Sequence, residues 1–181
     1  MKTIRIPLAT LVAVAAVTAM LGCSGGDRPS KPQSPQPQGF KTVTFSNGKV
    51  EFGVPKEYVQ SAEPDGTIAL KPSDDAGITL RFNLHYLEGA DLPADVGTQF
   101  VRKQAKDKGL KVMEVAEKVL LTEGGTRKEG ERQFDMTFWQ IGFQNAVVVM
   151  SAEIDQARKS DEAVIGCMNA VPEIIKSMRK P

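Results

Sequence analysis

Histidine and cysteine are scarce in this chain of 181 residues, which has one histidine, His85, and two cysteines, Cys23 and Cys167. There is no histidine pair, no cysteine pair accompanied by histidine and no Cys-x-x-Cys motif to hold a zinc ion. A surplus of one charge is also lacking, since 23 basic residues stand against 22 acidic ones. Nucleic-acid affinity depends on excess Lys and Arg facing phosphates, so this balance argues against a nucleic-acid partner. These absences exclude most metal-based and histidine-based catalytic sites, and we expect no cofactor.

Residues 1–22 have the pattern of a bacterial export signal, because a short basic start precedes an uncharged, mostly apolar run. Cys23 follows at once, and Met20-Leu21-Gly22-Cys23 resembles the lipobox of bacterial lipoproteins, in which the cysteine thiol is diacylated and becomes the new N-terminus. We therefore predict a signal peptide over residues 1–22 and a lipid-modified, palmitate-bearing Cys23 that anchors the protein to a membrane. The alternatives are an uncleaved helical anchor and ordinary signal cleavage nearer Ala19.

The segment that follows Cys23 contains no aliphatic or aromatic side chain and is rich in proline and glutamine. A segment of this composition has nothing to bury, so we predict that residues 23–39 form a disordered tether. Its prolines favour an extended polyproline geometry of ~3.1 Å per residue, which allows a reach of about 50 Å from the membrane. A proline-rich recognition motif is the alternative interpretation.

A single domain is predicted over residues 40–181, where apolar residues recur with the periods of strands and helices. Asn47-Gly48 lies between two alternating segments and predicts a hairpin turn. Apolar side chains at every second position over residues 77–87 predict the clearest strand. Helices are predicted over residues 92–108 and from Asp161 onward. Hairpins with two well-separated helices indicate an α+β domain with a central antiparallel β-sheet flanked by helices.

Two segments are predicted to interrupt this pattern. The polar, glycine-rich stretch 123–130 is predicted to be a mobile connection between strands. It has neither the Gly-Lys-Ser/Thr ending nor the strand–loop–helix context of a phosphate-binding loop. Pro172 lies inside the last apolar stripe, so it is expected to kink the C-terminal helix or to divide it into two.

His85 and Cys167 are the candidate reactive groups of the folded domain. His85 falls on the polar side of the predicted strand, where a histidine can act as a general base. No Gly-x-Ser-x-Gly motif or other nucleophile signature accompanies it, so we interpret His85 as a partly exposed structural residue. Cys167 lies at helical spacing from apolar neighbours, which predicts a small core residue in place of a reactive thiol.

The segment 138–144 is the one feature that suggests binding. If Phe138 points toward the core, alternation places Trp139 and Ile141 on the opposite face and Phe143 at the tip of a hairpin. Exposed aromatic side chains supply large contact areas, so Trp139, Ile141 and Phe143 form a candidate partner-binding site. In the alternative interpretation a helix covers that face, and Trp139 and Ile141 belong to the core.

The order of these parts resembles that of the DcrB-like bacterial lipoproteins, a group similar to the wider superfamily with the PsbP-like fold. The resemblance covers residues 40–181 and includes the lipobox and the linker. It implies a PsbP-like α/β/α sandwich and mostly non-enzymatic roles, as accessory subunits, adaptors, or chaperone-like or partner-binding modules. It offers no shared catalytic residues to carry over. The residues that carry it are the hairpin 45–55 (FSNGKVEFGVP), the strand Ile78–Tyr86, the helix 92–108, the strand pair introduced by Gly130 and the final helix through Ile174 and Ile175.

From these features we expect a lipid-anchored, extracytoplasmic protein of the cell envelope that binds a protein or another envelope component and is not an enzyme. One alternative is an immunity or chaperone-type protein that binds a secreted effector. Another is a hydrolase with a carboxylate-based site, built from Asp135 or Glu131 with Arg132. The hydrolase predicts a deep cleft with carboxylates of perturbed pKa, whereas the binding module predicts a shallow apolar patch.

Overall fold

A seven-stranded antiparallel sheet is the centre of the computed structural model, which describes residues 38–89 and 91–181. The predicted signal peptide, Cys23 and nearly all of the predicted tether lie outside these residues. The sheet has the order β3-β4-β5-β9-β8-β7-β6, and β1 and β2 form a separate hairpin. The strands are β1 (Phe40–Thr44), β2 (Glu51–Pro55), β3 (Val59–Ala62), β4 (Ile68–Lys71), β5 (Ile78–Tyr86), β6 (Met113–Val115), β7 (Lys118–Glu129), β8 (Arg132–Phe143) and β9 (Ala146–Asp155), and the helices are α1 (Val96–Asp107) and α2 (Glu162–Ser177).

The main core lies between one face of this sheet, helix α2 and the β1–β2 hairpin. In β5, alternation brings Ile78, Leu80 and Phe82 into this core. Phe82 stacks on Phe52 of the hairpin with 4.6 Å between ring centroids. Burying an aromatic or aliphatic side chain of this size contributes roughly 1.5–3 kcal/mol, so this face holds most of the hydrophobic stabilisation. We call it the core face.

Helix α1 packs on the opposite face of the sheet, over β7, β8 and β9. Its small side chains allow a close approach, because a Cβ atom on Gly97 would collide with the backbone of Ala146. A Cβ atom on Gly142 would likewise collide with the backbone of Gly97. A second, smaller apolar cluster forms beneath the helix and comprises Val101, Ala105, Val119, Leu121 and Val147. We call this side the α1 face.

The structure confirms the α+β class, with an antiparallel sheet and helices on both sides. The Asn47-Gly48 hairpin is present, and Gly48 adopts a φ of +66°. The first helix begins at Val96, later than predicted, and ends before Gly109, where φ is +66°. Among the described residues, no helix is long and apolar enough to span a membrane.

Two predictions about chain interruptions are wrong. Residues 123–129 are not a mobile connection but the distal half of β7, in continuous register with β8 from Val119↔Gly142 to Glu129↔Arg132. Of the two outcomes expected at Pro172, a kink or a division of the last helix, the division is wrong, because α2 is one helix from Glu162 to Ser177. Its buried side chains against the core explain this continuity, since packing outweighs the local preference against proline.

Candidate partner-binding surface

The three residues predicted as a binding site, Trp139, Ile141 and Phe143, are buried, with exposures of 7%, 0% and 5%. All three lie on the core face, in the cluster closed by α2 and the β1–β2 hairpin. The predicted alternation is present, but Phe138 has the opposite orientation from the one expected. The expected exposed patch is therefore absent, and the alternative interpretation of Trp139 and Ile141 as core residues is confirmed.

Phe143 is buried because it is not at the hairpin tip. It pairs with Ala146 at the end of the β8–β9 ladder, so the turn contains only Gln144 and Asn145. This turn holds two neighbouring segments in place. The carbonyl of Gln144 accepts a hydrogen bond of 2.7 Å from the backbone N–H of Gly97, at the start of α1. The backbone carbonyl of Asn145 accepts a hydrogen bond of 2.9 Å from the backbone N–H of Leu87. The side-chain Nδ2 of Asn145 donates a second hydrogen bond, of 3.1 Å, to the carbonyl of Leu87.

Phe138 is the aromatic side chain of β8 that the fold leaves exposed, with 39% of its surface accessible. It lies on the α1 face, where the ladder places it in one row with Glu123, Ser151 and Arg81. Helix α1 buries Val119, Leu121 and Val147 nearer the other end of these strands but does not bury this row. We name the uncovered region the open sheet face and define it by Arg81, Arg127, Met136, Phe138, Val149, Ser151 and Glu153.

Ion pairs neutralise the charges on the open sheet face. Glu153, which is mostly buried, lies 2.9 Å from the guanidinium of Arg127 and 3.6 Å from that of Arg81. Arg81 also donates a hydrogen bond of 2.9 Å to Glu63, and Arg127 lies 3.1 Å from Glu129. Since each arginine faces carboxylates of the same chain, the surface carries no concentration of one charge. It is a surface of paired charges and apolar side chains with the aromatic ring of Phe138 among them.

A cavity of about 580 Å³ lies beside the Gln144-Asn145 turn, and Tyr86 lines one wall. The ammonium groups of Lys49 and Lys180 each lie 5.2 Å from the centroid of the Tyr86 ring. The hydrogen bond from Lys180 lowers the pKa of the Tyr86 phenol, and a bond with Asn145 lowers this pKa further. Lys49 is also paired with Glu88, at 3.1 Å. Lys49, Lys180 and Asn145 thus converge on Tyr86 at this wall.

His85 and Cys167 occupy the structural positions expected of them. His85 is exposed on β5, opposite Val147 of β9 on the α1 face. Cys167 is 1% exposed in the core, and burial raises the pKa of its thiol. Burial also raises the pKa of Tyr58, to which the thiol is hydrogen-bonded. Cys167 is therefore a protonated core residue.

The residues named for a hydrolase site, Asp135, Glu131 and Arg132, have separate surroundings. Asp135 accepts a hydrogen bond from Gln156 Nε2, and Arg132 lies 2.7 Å from Asp155. This bond from Arg132 lowers the pKa of Asp155, the opposite of what a general acid needs. Glu131 is exposed in the β7–β8 turn. Over residues 38–89 and 91–181, no group of three or more His, Cys, Asp or Glu side chains is placed to hold a metal ion.

A solved structure of low sequence identity shares this architecture. A protein from Bacteroides thetaiotaomicron, with a crystal structure at 1.50 Å resolution, matches 80% of this chain at 12% identity with a TM-score of 0.61. The chain spans 49% of the length of that protein. At this identity the likeness concerns the fold alone.

Two further structures match with lower scores. PsbP from the cyanobacterium Synechocystis matches 89% of this chain and 99% of its own, at 10% identity and a TM-score of 0.36. LpqN, involved in cell envelope biogenesis of Mycobacterium tuberculosis, matches 78% of this chain and 90% of its own, at 18% identity and a TM-score of 0.45. Neither a protein-family model nor a curated protein sequence matches this chain.

Proposed function

We propose that this chain is a lipid-anchored, extracytoplasmic binding protein without catalytic activity, which engages a protein partner through the open sheet face. The observation that carries the proposal is the 39% exposure of the Phe138 ring at the middle of the open sheet face. A well-ordered aromatic side chain in a flat surface is the kind of residue that dominates the energy of protein interfaces.

The surroundings of Phe138 also suit a protein partner. Protein interfaces combine an apolar centre with a polar rim. Here Met136 and Val149 are partly buried on the same face, and the paired Arg81, Arg127 and Glu153 lie around them. Because the charges of Arg81, Arg127 and Glu153 are paired within the chain, an apolar partner surface can cover them without burying an unpaired charge.

The membrane anchor and the family are further parts of this proposal. Cys23 carries the acyl chains, residues 1–22 form the removed signal peptide, and residues 23–39 tether the domain to the envelope. We also propose that the chain is a DcrB-like lipoprotein of the PsbP-like superfamily. The support for this assignment is the order of hairpin, strand, helix, strand pair and final helix along residues 40–181.

Site-specific photo-crosslinking in the living envelope tests the proposed surface. A photoreactive amino acid is placed at Phe138 or Met136 in the full chain, with Lys106 and Ile165 as exposed control positions on α1 and α2. We expect one discrete protein adduct from positions 138 and 136 and none from the controls. Adducts of equal yield at all four positions, or at the controls alone, would show that the partner does not bind this face.

A further inference from the structure

The outer edge of β7 is unpaired over most of its length. Strand β6 pairs with β7 only from Lys118 to Leu120. No other strand of residues 38–89 and 91–181 lies on that side, so the segment 121–129 is a free edge. This segment contains no bulge, because its register with β8 is continuous from Leu121 to Glu129. Free edges of this kind are templates for pairing with another strand.

The backbone groups available on this edge follow from the hairpin geometry. Glu129 and Arg132 flank a two-residue turn, so they exchange both of their backbone hydrogen bonds. Therefore Glu129 and every second residue that precedes it in β7 point their N–H and C=O groups toward β8. The residues between them point the same groups outward, and these are Thr122, Gly124, Thr126 and Lys128.

In one antiparallel register, the side chains of the segment 121–129 are complementary to those of the same segment in a second copy of the chain. When the segment 121–129 pairs with a second copy of itself, Gly125 lies opposite Gly125 of the other copy on a two-fold axis. Glu123 then lies opposite Arg127, twice, on the α1 face. Thr122 lies opposite Lys128, and Gly124 lies opposite Thr126. Opposite charges in directly facing positions of an antiparallel pair attract, and the glycines allow close approach on the axis.

The two neighbouring registers, each shifted by two residues, are less favourable than this one. A shift of the second copy by two residues in one direction places Glu123 opposite Glu129, twice, which is repulsive. A shift in the other direction requires the edge at Leu120, which Met113 of β6 already occupies. Charge repulsion therefore disfavours one neighbouring register, and strand β6 blocks the other.

We propose that the β7 edge is a self-association surface, through which two copies of this chain join their sheets antiparallel about Gly125. Glu123 and Arg127 keep their contacts with Lys108 and Glu153, at 2.6 Å and 2.9 Å, and each gains a partner from the second copy. The pairing leaves the Phe138 side chain accessible, because Phe138 projects from the sheet face and not from its edge, and Arg127 is the residue that the two surfaces share.

Disulfide trapping tests the register directly. Gly125→Cys introduces a thiol with open space around its Cβ atom, and on the two-fold axis the two Cα atoms come within disulfide range. Gly124→Cys is the matched control, because its nearest counterpart in this register is Thr126 and the two copies of residue 124 are too far apart to bridge. We expect oxidation of the full chain in detergent to convert most of the Gly125→Cys protein to a covalent dimer. We expect the Gly124→Cys protein to remain at the level of the unsubstituted chain, and equal yields from the two variants would overturn the proposal.

A charge exchange tests the complementarity in the Gly125→Cys background. Glu123→Arg or Arg127→Glu alone places like charges opposite each other, so we expect crosslinking to fall at least about fivefold. The double substitution restores opposite charges and should restore the yield. Lys106→Glu changes the net charge by as much as Arg127→Glu on an exposed part of α1, and we expect it to have no effect. Single substitutions without effect would contradict this register.

Discussion

Trp139 and Phe138 are adjacent in β8 and have opposite environments, so a pair of substitutions separates the core from the binding surface. Trp139→Ala removes a large buried side chain, and we expect it to lower the free energy of unfolding by about 3–5 kcal/mol. Phe138→Ala removes a half-exposed ring, and we expect a loss of less than about 1 kcal/mol. Denaturant unfolding followed by circular dichroism measures both. Equal losses would show that the two faces of β8 are wrongly assigned.

The two tyrosines of this chain provide a test of local electrostatics. The hydrogen bond from Lys180 holds the pKa of Tyr86 below its usual value of about 10, whereas burial holds that of Tyr58 above it. An absorbance titration of the folded protein should show the Tyr86 phenol ionising at a lower pH, and the Tyr58 phenol ionising only as the protein unfolds. The early step should move to higher pH in Lys180→Met and stay in place in Lys159→Met. A single step for both phenols would contradict these environments.

The raised pKa of Tyr58 also has a consequence for stability at alkaline pH. Its folded-state pKa lies above its unfolded value, so the contribution of the neutral phenol is full below pH about 10 and is lost as the pH rises further. Tyr58→Phe removes this dependence. The free energy of unfolding should therefore fall less steeply above pH 10 in this variant than in the unsubstituted chain.

At the scale of elements, the position of α1 depends on the contact of Gly97 with the β8–β9 turn. Gly97→Ala places a methyl group against the backbone of Ala146, which must move, and we expect a loss of about 1–3 kcal/mol. Gly166→Ala is the matched control in α2, where an added Cβ meets no atom within 4 Å. The control should be neutral or gain up to about 1 kcal/mol from helix propensity. A neutral Gly97→Ala would show that α1 does not lie this close to the sheet.

The sequence allowed the alternation of β8 to be predicted, but not which of its two faces is covered. Alternation over β8 shows that Phe138 and Trp139 point to opposite sides, and the period is the same whichever side is buried. The core face is decided by distant parts of the chain, such as Phe52 of the hairpin and Ile174 of α2. No local signal in residues 138–144 contains that information.

The distal half of β7 was missed for a related reason. Its glycines and charges favour a loop when the segment is considered alone. Its strand conformation comes from the ladder with β8, which supplies a partner for each residue up to Glu129. Strand preference depends strongly on such context, so a polar, glycine-rich edge strand has little sequence signature of its own.

At the scale of the whole molecule, the anchor is tested separately from the domain. We expect a clickable fatty-acid analogue, fed to cells that express the full chain, to label the unsubstituted protein at Cys23. Cys23→Ser should carry no label, and Cys167→Ser should be labelled normally because that thiol is buried in the core. Label that persists in Cys23→Ser would contradict the lipoprotein assignment, and loss of label in both variants would show an export defect.

Binding of a protein partner through the open sheet face is tested by one affinity comparison. The full lipid-bearing chain is compared with Phe138→Arg and Ile165→Arg for binding to the partner identified by crosslinking. Both substitutions add one charge at an exposed apolar position, but only Phe138 lies on the open sheet face. We predict that Phe138→Arg weakens binding at least about tenfold, as expected of a central aromatic contact, while Ile165→Arg binds as the unsubstituted chain does. Unchanged affinity in a folded Phe138→Arg protein would contradict the account.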